Sequence, residues 1–188
     1  MVRTSGDSTL SEPAPHDREA PAGALAGVHA ERVLGAPIAA LWPLWATKEG
    51  LESWWAPAGF VLAVKNLDVR VGGRIDFVYA EASTVGDPEW RKEFERHGIP
   101  PTFTAQGTFL DVARPTRLAF RQFVDYGPKS HPQEFRMRAA FRGEGSITHV
   151  ALSAEAPPTR HWTLLGKQNL VGQLNRLEKA LTNERLPG

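Results

Sequence analysis

The chain reads as an α+β protein: a curved antiparallel β-sheet wrapped around a long C-terminal α-helix, with two short helices after the first strand and a helical insert. Three observations predict it. From Phe60 to Ala154 most segments alternate apolar and polar residues with period two, broken at intervals by Gly and Pro, as half-buried antiparallel strands do. From Thr159 to Leu181 the period changes, and Leu170, Leu174, Leu177 and Leu181 form one apolar stripe at helical spacing. A sheet with one apolar face and a single amphipathic helix are both satisfied when the sheet closes over that helix.

Met1 to about Ala26 is rich in Ser, Pro, Ala, Gly and charge, with hardly a large apolar residue. It cannot bury enough surface to offset its ordering entropy, so 1–26 is expected to be a disordered tail and 27–185 one domain. Val28–Leu34 is short and mixed and predicts an edge strand. Ala36-Pro37 opens a helix, since Pro is tolerated in a first turn, and Ile38, Leu41, Trp42 and Trp45 recur at helical spacing. Pro43 inside it predicts a short or broken helix. Lys48–Trp55 predicts a second short helix, ended by Pro57 and Gly59.

Phe60–Val71 and Arg74–Ala80 flank Gly72-Gly73, which predicts a two-residue hairpin. Ile75, Phe77 and Tyr79 face one way there, Arg74 and Asp76 the other. Asp68 and Arg70, two apart on a strand, share a face and read as a surface ion pair. Asp87–His97 is an amphipathic helical insert with Trp90 and Phe94 four apart, stopped by Gly98 and Pro100-Pro101. Four strands follow: Thr102–Val112, Thr116–Tyr126, Gln133–Arg142 and Ser146–Ala154. Pro157-Pro158 ends the sheet, and Thr159 is placed to cap the last helix. Within that helix Gly166 and Gly172 suggest close approach to the sheet, a kink, or drift.

Composition narrows function. In 188 residues, 22 Lys and Arg stand against 21 Asp and Glu, without the basic excess of a nucleic-acid binder. Arg136, Arg138 and Arg142 read as the solvent face of a strand. The absence of Cys excludes disulfides, thiol nucleophiles and thiolate zinc sites, and fits a reducing cytoplasm, where the protein is expected. No apolar run approaches the ~20 residues of a membrane helix, and no basic and apolar leader opens the chain, so neither membrane insertion nor secretion is expected. The histidines show no metal spacing, and no cofactor is expected. Gly72-Gly73 lacks the following helix and Lys-Ser/Thr of a phosphate loop. No nucleophile, base and acid can be assembled, so no catalytic residue is assigned. His161, beside Trp162, reads as a solvated helix-end histidine or as an acid–base group at a pocket mouth.

Three segments carry a family resemblance. They are Trp54-Trp55-Ala56-Pro57, the hairpin Leu67-Asp68-Val69-Arg70-Val71-Gly72-Gly73-Arg74, and Gly107-Thr108-Phe109-Leu110-Asp111-Val112 with Pro115, Arg117-Leu118 and Phe120. Together they resemble the START-like SRPBCC superfamily, and within it the homologues of the activator of the heat-shock-protein-90 ATPase. The resemblance spans Val28–Leu181 and implies a helix-grip fold with a cavity between sheet and C-terminal helix. The chain departs from the pattern at Asn169-Leu170, where a Gly-Trp pair is common, and in the length of the insert.

On that fold, Trp54, Trp55, Phe60, Phe77, Tyr79, Phe103, Phe120, Phe135, Met137, Trp162 and Leu165 are expected to converge between sheet and helix, as core or as cavity wall. Gln122, Asn169 and Tyr79 would supply its polar groups. The insert, with Trp90 and Phe94, reads as a fixed helix or a lid. The expected partner is a small apolar or aromatic molecule, bound by a monomer or homodimer. A polyketide cyclase or aromatase and a chaperone-activator-like interaction domain stand as alternatives.

Overall fold

The computed structural model describes residues 27–82, 92, 95–96, 98–125, 134–155 and 160–183. Seven antiparallel strands form one sheet: β1 (Gly27–Leu34), β2 (Phe60–Leu67), β3 (Arg74–Glu81), β4 (Thr102–Ala113), β5 (Arg117–Val124), β6 (Glu134–Glu144) and β7 (Ile147–Glu155). Their spatial order is β1-β7-β6-β5-β4-β3-β2. Strands β2 to β7 form a meander, and β1 closes beside β7, with Val28 opposite Ala154 and Leu34 opposite Thr148. The chain crosses from one edge to the other through α1 (Ile38–Ala46) and α2 (Lys48–Trp54), and ends in the long helix α3 (Arg160–Asn183).

The alternation read from sequence sorts the two faces. Leu118, Phe120 and Gln122 of β5, and Met137, Ala139 and Phe141 of β6, are buried on the inner face, while Arg121, Arg136 and Arg142 are exposed. Leu170, Leu174, Leu177 and Leu181 are the buried stripe of α3. At Gly172 the nearest atom to an added Cβ is Nη1 of Arg176 on the same helix, at 3.3 Å, rather than any atom of the sheet.

Helix α1 is short but unbroken. Pro43 sits inside it on an exposed side, and Leu41, Trp42, Leu44 and Trp45 are buried. Thr47 separates the two helices: its N–H donates to Pro43 O at 3.0 Å, and its Oγ1 accepts from Gly50 N at 3.0 Å as the N-cap of α2. Packing of the aromatic face thus outweighs the hydrogen bond that Pro43 removes.

Two expectations need correction. The connection between β2 and β3 is not a two-residue turn: β2 ends at Leu67, and 68–73 form a wider loop. Asp68 N donates to Arg74 O at 2.8 Å, Gly73 N to Arg70 O at 2.9 Å, and Gly72 N leaves the hairpin to reach Phe109 O at 2.8 Å. That tie to β4 is a tertiary contact that a hairpin rule cannot foresee. Asp68 and Arg70 do form an exposed ion pair, at 2.7 Å, but inside this loop rather than on a strand. The hairpin from β4 to β5 carries a second surface pair, in which Arg117 holds the Asp111 carboxyl below its usual pKa through a hydrogen bond.

Edge strand β2 is covered by α2. The Glu52 carboxylate accepts from Val64 N at 2.7 Å, and Lys48 Nζ donates to Lys65 O at 3.0 Å. Both satisfy backbone groups that have no neighbouring strand. Glu52→Leu is expected to cost about 1.5–3 kcal/mol, the worth of a hydrogen bond to a charged group, as a lower urea midpoint with unchanged slope. A loss under a few tenths would show that water serves Val64 equally well.

Candidate functional site

Two aromatic groups form the wall of the inner face. Around Trp45 of α1, ring centroids lie 4.5 Å from Trp54, 5.6 Å from Trp55 and 5.2 Å from Phe141. Across β2, β3 and β4, Tyr79 stacks on Phe103 at 4.6 Å, Phe60 meets Phe103 edge-on at 5.2 Å, and Phe77 lies 6.0 Å from Tyr79. Trp55 joins the two groups. Its ring contacts Phe120 at 5.8 Å, and its Nε1 donates to the Tyr79 hydroxyl at 3.1 Å.

Trp55 is also tied to the long helix. The last carbonyls of a helix have no partner within it, and here α3 supplies them: Gln173 Nε2 donates to Trp55 O at 2.8 Å, and Arg176 Nε to Trp54 O at 3.1 Å. Trp54 is further held by its Nε1, which donates to Leu44 O at 2.9 Å. Burial without a countercharge lowers the pKa of Arg176 from its ordinary value, though the guanidinium stays charged at neutral pH.

Register places the polar candidate. Ile75, Gly107, Gln122 and Phe135 stand side by side on β3, β4, β5 and β6. Phe77, Ala105 and Val124 form the next row. Gln122 is only 1 % exposed, and its Nε2 has no hydrogen-bond partner among the described residues. Val124 and Phe135 continue the inward-facing positions of their strands, yet both remain half-buried where Phe120 and Met137 behind them are fully buried. Among the described residues, the close backbone neighbours of α3 are β1, α2 and α1 rather than the central strands. Its Leu165 and Asn169 are likewise half-buried. Trp162 lies on the first turn of α3, with its side chain outside the described residues, as are the lid candidates Trp90 and Phe94 and the tail 1–26.

The structure therefore brings Trp54, Trp55, Phe60, Phe77, Tyr79, Phe103 and Phe120 into one connected set, with Trp54 deep in the core. Tyr79 is not a free polar group, because Trp55 already engages its hydroxyl. Sequence reading missed Trp45, Gln173 and Arg176 in this set. Trp45 carried a signal, its helical spacing from Leu41 and Trp42. Gln173 and Arg176 carried none, since polar residues flanking a leucine stripe usually face solvent. No group of three or more His, Asp or Glu among the described residues could hold a metal ion.

Residues 35–182 match the family described as "Activator of Hsp90 ATPase homolog 1-like protein". The chain belongs to this family. Solved structures share the fold at low identity. CV1439 from Chromobacterium violaceum is 15 % identical, with a TM-score of 0.62, over 82 % of this chain and 95 % of its own. NE0264 from Nitrosomonas europaea is 20 % identical, with a TM-score of 0.61, over 84 % and 95 %. DynU16, described as a protein in the dynemicin biosynthetic locus, is 14 % identical, with a TM-score of 0.58, over 82 % of this chain and 46 % of its own. No curated protein matches the chain. Membership in the Activator of Hsp90 ATPase homolog 1-like family and the helix-grip architecture thus bear out the resemblance read from the three sequence segments. No helix among the described residues is long and apolar enough to cross a membrane.

Proposed function

We propose that this protein binds a small hydrophobic or aromatic molecule between the central strands and the N-terminal half of α3. The observation that carries the reading is the change along the inner face. Behind Trp55 the interior is closed by ring-to-ring packing, whereas ahead of it the inward-facing Val124 and Phe135, and Leu165 on the helix, keep accessible surface. A concave apolar wall with a few polar groups is the common form of a small-molecule site. The fold shared with DynU16, a protein of the dynemicin biosynthetic locus, accords with it. In this reading Trp55, Phe60, Phe77, Tyr79, Phe103, Phe120, Phe135, Met137 and Leu165 contribute the apolar wall, Gln122 and Asn169 the polar contacts, and the protein works in the cytoplasm as a monomer or homodimer.

Binding is favoured over a cyclase reaction because Gln122 and Asn169 are carboxamides, which do not exchange protons with a substrate near neutral pH. It is favoured over an interaction domain because, among the described residues, the exposed large apolar residues are scattered: Val33, Val61, Leu110 and Phe123 fall one to a strand, Val71 lies in the 68–73 loop, and Leu164 and Val171 alone share an element.

The test is native mass spectrometry of gently purified protein, with extraction of any passenger, and Nile red titration in parallel. Val124→Trp should weaken Nile red binding more than tenfold while leaving far-UV circular dichroism unchanged. No passenger together with no Nile red binding to the wild type would overturn the reading.

A further inference from the structure

We infer that the molecule held under α3 carries a hydrogen-bond-accepting carbonyl oxygen, as in a ketone or quinone, seated against the side-chain amide of Gln122. The inference rests on the binding reading above and names the chemical class of its ligand. Gln122 is 1 % exposed, on the inner face of β5, and its Nε2 donor has no partner among the described residues. A buried amide left unpaired is costly, and native proteins keep few such groups.

The flanking positions cannot serve it. Ile75 and Phe135 in the same row are apolar, and the residue directly opposite on β4 is Gly107. That glycine is required: an added Cβ would overlap Arg121 O and stand 2.9 Å from Gln122 Cγ and 3.1 Å from Ile75 Cγ2. The row therefore has no room for a polar side chain at its centre. Leucine would occupy the place of Gln122 at similar size and leave no donor unsatisfied. With no partner among the described residues, the amide points to a partner that is not part of the chain. A donor calls for an acceptor, and the row offers no cation to balance a carboxylate, so a neutral carbonyl fits best. A pure hydrocarbon would leave the donor unpaired and bind less well.

Displacement of Nile red by two matched pairs tests this: fluorene against 9-fluorenone, and indane against 1-indanone, each differing by one carbonyl. The wild type should favour the ketone at least tenfold in the pair that fits. In Gln122→Leu the ketone should fall to the affinity of its hydrocarbon, the hydrocarbon should bind as before or better, and the free variant should melt above the wild type. Hydrocarbons that bind the wild type as tightly as ketones, or a ketone preference that survives Gln122→Leu, would overturn this inference while leaving the binding reading intact. So would a lower melting temperature for the variant, which would show that the amide is already paired inside the fold. Failure of all four compounds to displace the dye overturns the binding reading, and the carbonyl inference falls with it.

Discussion

Trp45→Ala should unfold at urea concentrations at which the wild type is still native. The ring is 2 % exposed and touches Trp54, Trp55 and Phe141 at centroid distances of 4.5, 5.6 and 5.2 Å. It therefore joins α1, α2 and β6, and a methyl group in its place leaves a cavity where those three elements meet. Truncating a buried Trp or Phe to Ala costs about 3–5 kcal/mol, a large share of the roughly 5–15 kcal/mol that holds a domain together. The loss should spread, because α1 and α2 carry the chain from one edge of the sheet to the other. Without their docking, Trp54 and Trp55 no longer offer the carbonyls that Gln173 and Arg176 of α3 bind. Urea unfolding followed by circular dichroism measures it, with Trp45→Phe expected to recover part of the loss. A change below about 1 kcal/mol for the alanine variant would mean that the neighbouring rings collapse into the space.

The second large effect separates two residues that look identical in sequence. Gly72 has φ 80° and open space around it, so the left-handed backbone alone demands glycine, and Asn is a tolerable substitute. Gly73 is different: a Cβ there would overlap Asp68 O and lie 2.8 Å from Asp68 Cγ and 3.0 Å from Arg70 O. Gly73→Ala must push apart a loop whose backbone bonds close on both sides of it, at a cost of about 1–3 kcal/mol. Gly72→Asn should stay within about 1 kcal/mol of the wild type. Equal losses in thermal melts of the two variants would contradict the distinction.

Most of the fold was legible because short-range patterns carried it. Alternation in β5 and β6 and the Leu170–Leu181 stripe follow directly from which face each element buries. The misreadings came where a local rule met a tertiary contact. Gly72-Gly73 satisfies a hairpin rule, but Gly72 N bonds to Phe109 O in β4, and the turn opens to make that reach. Gln173 and Arg176 look like the wet side of a helix until the end of α2 is placed beside them. Of the site, the aromatic wall was legible because each ring occupies an inward position of a readable element. That Tyr79 is engaged while Gln122 is not depended on which side chains meet across three strands and a helix, and no periodicity encodes that.

The side chains of Glu52 and Lys48 on the rim of β2 also limit how copies of this sheet can add to one another. Growth by strand addition needs two open rims, one to accept a copy and one to offer to the next. With β2 occupied by its own helix, only β1 is left for such pairing. Two molecules meeting rim to rim through β1 would each use up their one opening, and the assembly would close as a symmetric pair instead of lengthening into a fibre.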